Sequence, residues 1–382
     1  MRSLLTLMLA ILVGVSAASA QEAAMELRNV EIDAQSPEGS VLTQAGLAED
    51  EGERIGILEG FRKDYPESTY RGYVLMQLQG LYTRQQNWAR AAEIGKLLLP
   101  YAPEDLEVRH NHNQALLNSQ DWPALLEALI ATKPLADRDA AAPPPEDPTE
   151  DEEIIHQSSV DYAAGVAQYT EWALNVGGTQ SPPMERVKFM DALVKLFPDG
   201  QYLDGIDDRY VVAYQQAGDA AGMTMAMERA LANNPGNEQY LFTLAQLALT
   251  QKDYDTVNAR CEELIKLMEE KPAPEGTSDE AWTATKQKFT ALGHYLMGTA
   301  SFQQGSWRTA RRHLLQTVDV IKAEGGERYG ILAYMLGFCY VKLDIAGDNI
   351  PQATRWMGEA ARVPNPMQAQ AAQTLEAIKA AE

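Results

Sequence analysis

GTASFQQGSWRTARRHLLQTV, residues 298–318, holds Gly298 and Gly305, then Trp307, then the small residue Ala310. A glycine loop that cradles phosphate needs a strand before it and, in the Walker form, a Gly-Lys-Ser/Thr ending. Both are missing here. The spacing has a structural meaning if it recurs, and it does. NWARA (87–91), GDAAGM (218–223) and KDYDTV (252–257) lie over GSWRTA (305–310). Each has a polar or glycine turn, often an aromatic next, and a small or aliphatic residue three places on. Gly298 is therefore read as a glycine where two helices cross closely, opposite Ala310. Gly305 ends the first helix or makes the turn, where glycine accepts a positive φ.

The positions upstream of each turn agree. Leu75, Leu78 and Tyr82 precede the first, Tyr210 and Tyr214 the second, and Leu241, Leu244 and Ala248 the third. Met297 and Gly298 precede the fourth. Leu336, Gly337 and Tyr340 open a further unit, with Ala353 a few places late. Residues 204–237 and 238–271 are two contiguous units of about 34 residues, a helix–turn–helix period. Period and pattern together resemble the tetratricopeptide repeat (TPR) family, with Pro103 and Pro235 at the closing-proline position. The resemblance covers 72–105, 204–237, 238–271, 291–324 and 330–366. It is weak over 106–139, where Gln120-Asp121-Trp122 keeps the turn but His112 and Asn113 replace Leu-Gly. Residues 154–198 read as two helices without the signature. The resemblance implies an all-α, TPR-like α-solenoid of antiparallel helix hairpins forming a right-handed superhelix, with first helices lining its concave face. One hairpin cannot bury its apolar side alone, so neighbours must stack.

Outward from the repeats, the ends and breaks are read as follows. Arg2, the apolar run Leu4–Val15 and the small residues Ala18-Ser19-Ala20 form a secretory signal cleaved after Ala20. The apolar run is shorter than the roughly 20 residues a membrane span needs. The expected location is periplasmic, with secretion as the alternative. Residues 21–47 are polar and aperiodic and read as a flexible segment. Residues 48–134 form an N-terminal array in which Tyr65-Pro66 ends a helix. Residues 135–153 (LADRDAAAPPPEDPTEDEE) read as an acidic, Pro-rich linker, and 154–382 as a C-terminal array with a capping helix around Met367–Ala380. Loops are expected at Gly177–Pro183 and Lys271–Ser278.

The net charge of −22, from 54 acidic against 32 basic residues, argues against nucleic acid, where Lys and Arg must replace counterions. No membrane insertion is expected after signal cleavage. Cys261 and Cys339 sit in apolar helical contexts separated by a hairpin, and a disulfide needs Cα atoms within about 7 Å; pairing is not the favoured reading. His110 and His112 at i and i+2 do not share a helix face and read as polar helix residues. His294 and His313 fall in one hairpin, without a Ser or Cys nucleophile beside them. Arg308, Arg311 and Arg312 make a basic spot expected to pair with the chain's own carboxylates. No catalytic, cofactor-binding or metal-binding residues are assigned, and no cofactor is expected.

The resemblance also says which first-helix positions face inward. Carried over, these are Phe242 and Gln246; Tyr295, Thr299 and Phe302; and Tyr334, Phe338 and Lys342. Mainly aromatic, such a groove suits an apolar or amphipathic segment of a protein or peptide partner; the chain's own C-terminal helix is the competing occupant. The expected function is a non-enzymatic periplasmic scaffold or adaptor. The alternatives are a self-associating structural protein of the envelope, hence a homo-oligomer, or a non-catalytic subunit of an envelope enzyme complex.

Overall fold

The structure, a computed structural model, describes residues 27–343 and 349–381; the signal read over residues 1–20 lies outside them. Among the described residues there are eighteen helices and no strand. The chain divides into two compact units at Ala220/Ala221.

The first unit contains α1 (Pro37–Leu47), α2 (Glu51–Asp64), α3 (Arg71–Arg84), α4 (Trp88–Leu98), α5 (Leu106–Ser119), α6 (Trp122–Ala140), α7 (Glu150–Gln180), α8 (Pro183–Leu196) and α9 (Ile206–Ala217). Each helix packs on the next, and α3 on α5, α5 on α7 and α6 on α8 as well. This is the stacking of helical hairpins that the repeat demands. Leu58 and Phe61 of α2, Leu75 and Leu78 of α3, Leu98 of α4, Leu125 and Leu129 of α6, Leu174 of α7 and Phe189 of α8 form one buried core. Each such side chain contributes about 1.5–3 kcal/mol on burial.

Three features of this unit depart from the sequence reading. Within 21–47, read as flexible, Pro37–Leu47 is helical: Ser36 caps it by accepting from the Gly39 N–H, and Leu42 and Ala45 are buried. The acidic stretch 135–153 is not a linker between arrays. α6 continues through Pro134 to Ala140, and α7 begins at Glu150, so only 141–149 is non-helical. Thr149 and Glu152 form a reciprocal capping box, and the carboxylates of 150–153 sit in a first turn, where the helix dipole favours negative charge. The segment lies inside the first unit. Finally, the loop expected at Gly177–Pro183 shrinks to Ser181-Pro182. Gly177 is helical because α8 crosses on top of it: a Cβ there would fall 2.2 Å from the Phe189 ring.

The second unit contains α10 (Ala220–Asn233), α11 (Glu238–Gln251), α12 (Tyr254–Glu270), α13 (Asp279–Gln303), α14 (Trp307–Leu315), α15 (Val318–Glu324), α16 (Gly326–Lys342), α17 (Asn349–Arg362) and α18 (Gln368–Ala381). α11 packs on α12, α12 on α13, α13 on α14, and α16 on α17. The loop over 271–278 is as expected. α18 packs along α17 and α16, burying Ala371 and Ile378, which is the position of a cap.

One turn conformation recurs through the chain. Gln86, Gln120, Gly218, Lys252 and Gly305 all have left-handed φ, between 56° and 75°. In every case the next residue's N–H reaches the carbonyl five residues before it: Asn87 to Tyr82, Asp121 to Leu116, Asp219 to Tyr214, Asp253 to Ala248 and Ser306 to Ser301, at 2.8–3.1 Å. This is the Schellman closure of a helix. Asn87, Asp121 and Asp253 then cap the following helix with their side chains. Gly298 is a crossing glycine, as read, but its neighbour is Leu314: a Cβ would fall 2.6 Å from the Leu314 side chain and 3.2 Å from its backbone nitrogen.

Candidate partner-binding face

The Schellman turn at Gly305 folds α14 back on α13, bringing Trp307 against Phe302, with ring centroids 5.3 Å apart. Phe338 of α16 closes the triangle at 5.5 Å from Phe302 and 5.4 Å from Trp307. All three contacts are edge-on, the favoured geometry for aromatic quadrupoles, worth about 0.5–1.5 kcal/mol per pair beyond area burial. Tyr334, one turn before Phe338, lies 6.0 Å from it and is buried. Phe302, Trp307 and Phe338 are half-buried. They join three helices and still present apolar surface.

Exposed Lys342 places its ammonium 5.4 Å from the Phe338 ring centroid. Tyr295 packs against two core clusters of the unit. The Thr299 hydroxyl donates to the Tyr295 carbonyl at 2.8 Å. Burial raises the Tyr334 phenol above its ordinary pKa, and Tyr295 likewise. Both therefore stay neutral. Phe242 stands apart from the triangle, edge-on to Phe289 at 6.4 Å, and Gln246 is exposed. Phe302, Tyr334, Phe338 and Lys342 thus come together, whereas Phe242 and Gln246 belong to another part of the unit. Trp307 and Phe289 were missing from the sequence-derived set. Trp307 is visible in the sequence as the aromatic after the turn.

The other candidate groups resolve as follows. Cys261 and Cys339 are unpaired and buried, and burial pushes both thiols up to about 12. A thiol at that value supplies no thiolate at neutral pH. His110 faces Tyr169 of α7, while His112 faces Gly95 of α4. His294 and His313 do meet, Nδ1 to Nδ1 at 3.1 Å. Burial lowers both below the ordinary imidazole range, and nearby Arg312 lowers them further. Among the described residues no group of three His, Cys, Asp or Glu is placed to hold a metal, and no helix is long and apolar enough to cross a membrane. Among the described residues the expected carboxylate pairing of Arg308, Arg311 and Arg312 is not found: Arg311 donates to the Tyr340 hydroxyl at 3.3 Å and lies over its ring, and Arg312 approaches the His313 ring.

No family model matches this chain, and no curated protein does. Solved structures similar to it include the TPR domain of P58(IPK), with 11% identity over 90% of this chain and 98% of that one, at a TM-score of 0.29. A monomeric mutant of IFIT1 with m7Gppp-AAAA has 13% identity over 91% and 74%, at 0.26. Yeast Tom70 has 10% identity over 91% and 96%, at 0.20.

Proposed function

We propose that this chain is an exported, non-catalytic scaffold that binds an apolar or amphipathic segment of a protein partner on the aromatic face of its second unit. The observation that carries the proposal is the half-exposed triangle of Phe302, Trp307 and Phe338. Three large rings are held rigid by their mutual packing, so a partner gains contact area without paying to order them. Rigid aromatic anchors of this kind dominate protein interfaces. Lys342 at the edge favours an acidic or carbonyl-rich rim on the partner.

α18 supports this reading by its place. It packs on α17 and α16, and the reading is that an external segment, not α18, occupies the aromatic face. Export rests on residues 1–20 alone. N-terminal sequencing of the protein from an osmotic-shock fraction should begin at Gln21.

The test of the face is photocrosslinking in living cells, with a photoreactive phenylalanine at Phe302 or Phe338 and a control at exposed Gln316. Discrete heavier adducts from the two aromatic positions, absent from the control, are expected. Crosslinks confined to α18, or equal adducts from all three positions, would remove the proposal.

A further inference from the structure

A recess of ≈ 720 Å³ opens in the first unit where residues of α2, α3 and α4 meet. Arg62 and Lys63 of α2, Arg71 of α3 and Arg90 of α4 line it, and Glu59 is the one carboxylate in the lining. In a chain with 54 acidic residues against 32 basic ones, four cations around one carboxylate reverse the prevailing charge. Two of the four are already matched. Arg62 reaches one oxygen of Glu59 at 2.7 Å and Arg90 reaches the other at 2.6 Å; Arg90 also pairs with Glu93, which is outside the lining. The Tyr82 hydroxyl donates to the same Glu59 carboxylate at 2.8 Å. At this end the recess holds an oxyanion between two guanidiniums.

Lys63 and Arg71 have no such match. Neither has a carboxylate partner among the described residues. Lys63 is exposed, and Arg71 donates to the carbonyl of Pro66, another lining residue, at 2.5 Å. Asp64 and Glu67, close by in sequence, are exposed; neither lines the recess or pairs with a cation among the described residues. Helix position accounts for one of the two cations and not for the other. Lys63 stands in the last turn of α2, where the helix dipole favours positive charge. Arg71 is the first residue of α3, where the dipole opposes it, and α3 has neither an acidic residue in its first turn nor a side-chain cap. A cation held at the positive end of a helix, on the same recess as a second unmatched cation, is stabilised by an anion that joins them. Gly60 leaves room for one, because a Cβ there would meet nothing within 4 Å.

We propose that this recess binds one phosphate group, free or as the monoester of a small molecule, on Lys63 and Arg71. Charge selects phosphate. Two unmatched cations call for a dianion, and a phosphate monoester carries about −1.5 to −2 at pH 7, where a carboxylate carries one charge. The planar fork of a guanidinium also fits two phosphate oxygens at once. The organic part of an ester would lie over Gly60. The site is independent of the aromatic face.

The test is calorimetric titration of the whole chain, at low ionic strength, with inorganic phosphate, glycerol 3-phosphate and glycerol. Both phosphates should bind saturably and glycerol should not. Tighter binding of the ester would identify a small phosphate ester as the ligand, and equal binding would identify free phosphate. Affinity should rise at least threefold between about pH 5 and about pH 7.5, because the second phosphate proton leaves at a pKa of about 6 while lysine and arginine stay charged. Lys63 is exposed, so Lys63→Gln keeps the fold, which an unchanged urea midpoint verifies; it should weaken binding at least fivefold, and Arg71→Gln at least tenfold. Gly60→Leu keeps all four cations and fills the recess, so it should abolish binding, whereas a diffuse attraction of anions to a basic surface would survive it. Absence of saturable phosphate binding, an affinity that stays flat across that pH range, or full affinity in Lys63→Gln or Gly60→Leu would overturn the proposal.

Discussion

At single positions, the glycines divide by what a methyl group would meet. At Gly298 an added Cβ meets Leu314 side chain and backbone, whereas at Gly56 and Gly60 of α2 it meets nothing within 4 Å. Gly298→Ala should therefore cost about 1–3 kcal/mol, the range for overpacking, while Gly60→Ala should gain about 0.5–1 kcal/mol from helix propensity. Urea midpoints moving in opposite directions would check both. His112 makes a pH prediction. Burial, with Arg109 and Lys96 adding to it, lowers its pKa to about 4 from 6.5. Its neutral form is what the fold accommodates. Above pH 6.5 the ring is neutral folded and unfolded, and its contribution is fully present. As pH falls from 6.5 toward 4 the unfolded chain takes up the proton first, and stability is lost. A shift of this size corresponds to about 3 kcal/mol at most. His112→Gln should flatten the slope of stability against pH over that window, whatever its effect at pH 7; an unchanged slope would show that His112 is not the group responsible.

The elements show why some of the fold was legible and some was not. The recurring turn is a local device: a left-handed residue, a capping side chain, then often an aromatic. It leaves its mark within three residues, so the hairpins over 72–105, 204–237 and 238–271 could be aligned. Glycine fills the left-handed position at 218 and 305, but Gln86, Gln120 and Lys252 do not have its freedom. A non-glycine residue there is strained by about 1–2 kcal/mol, partly offset in glycine by its greater unfolded entropy. Gln120→Gly and Lys252→Gly should each raise stability by up to about 1 kcal/mol, read as a higher urea midpoint with an unchanged slope. Nearly as local, yet misread, were the starts of α1 and α7. Ser36-Pro37 and Thr149 with Glu152 are cap signals, but a low-hydrophobicity helix and an acidic run beside three prolines masked them. Non-local facts were beyond reach. That Gly177 and Gly178 lie inside a helix depends on Phe189 and Met190 packing onto them. The aromatic face was half legible for the same reason: Phe302 and Phe338 follow from register, while the fit of Trp307 between them depends on how α14 folds back.

For the whole molecule the governing quantity is charge. Many of the cations are already engaged locally, as in Arg62 and Arg90 with Glu59, Lys188 with Glu185, and Arg260 with Glu228 and Glu263. Such pairs stabilise little at the surface, but they leave the excess of −22 spread over the molecule. Two copies therefore repel at low salt, and a partner of opposite sign is drawn in. Salt screens this repulsion over a Debye length of about 10 Å at 0.1 M and 3 Å at 1 M, while leaving apolar contact between aromatic faces intact. Light scattering across that range separates the scaffold from the self-associating alternative. A scaffold whose face awaits another protein should have the mass of a single chain at both salt concentrations. A mass that doubles at 1 M and returns to one chain in Phe338→Glu would mean that the aromatic face pairs with itself, and self-association would then replace hetero-binding as its function.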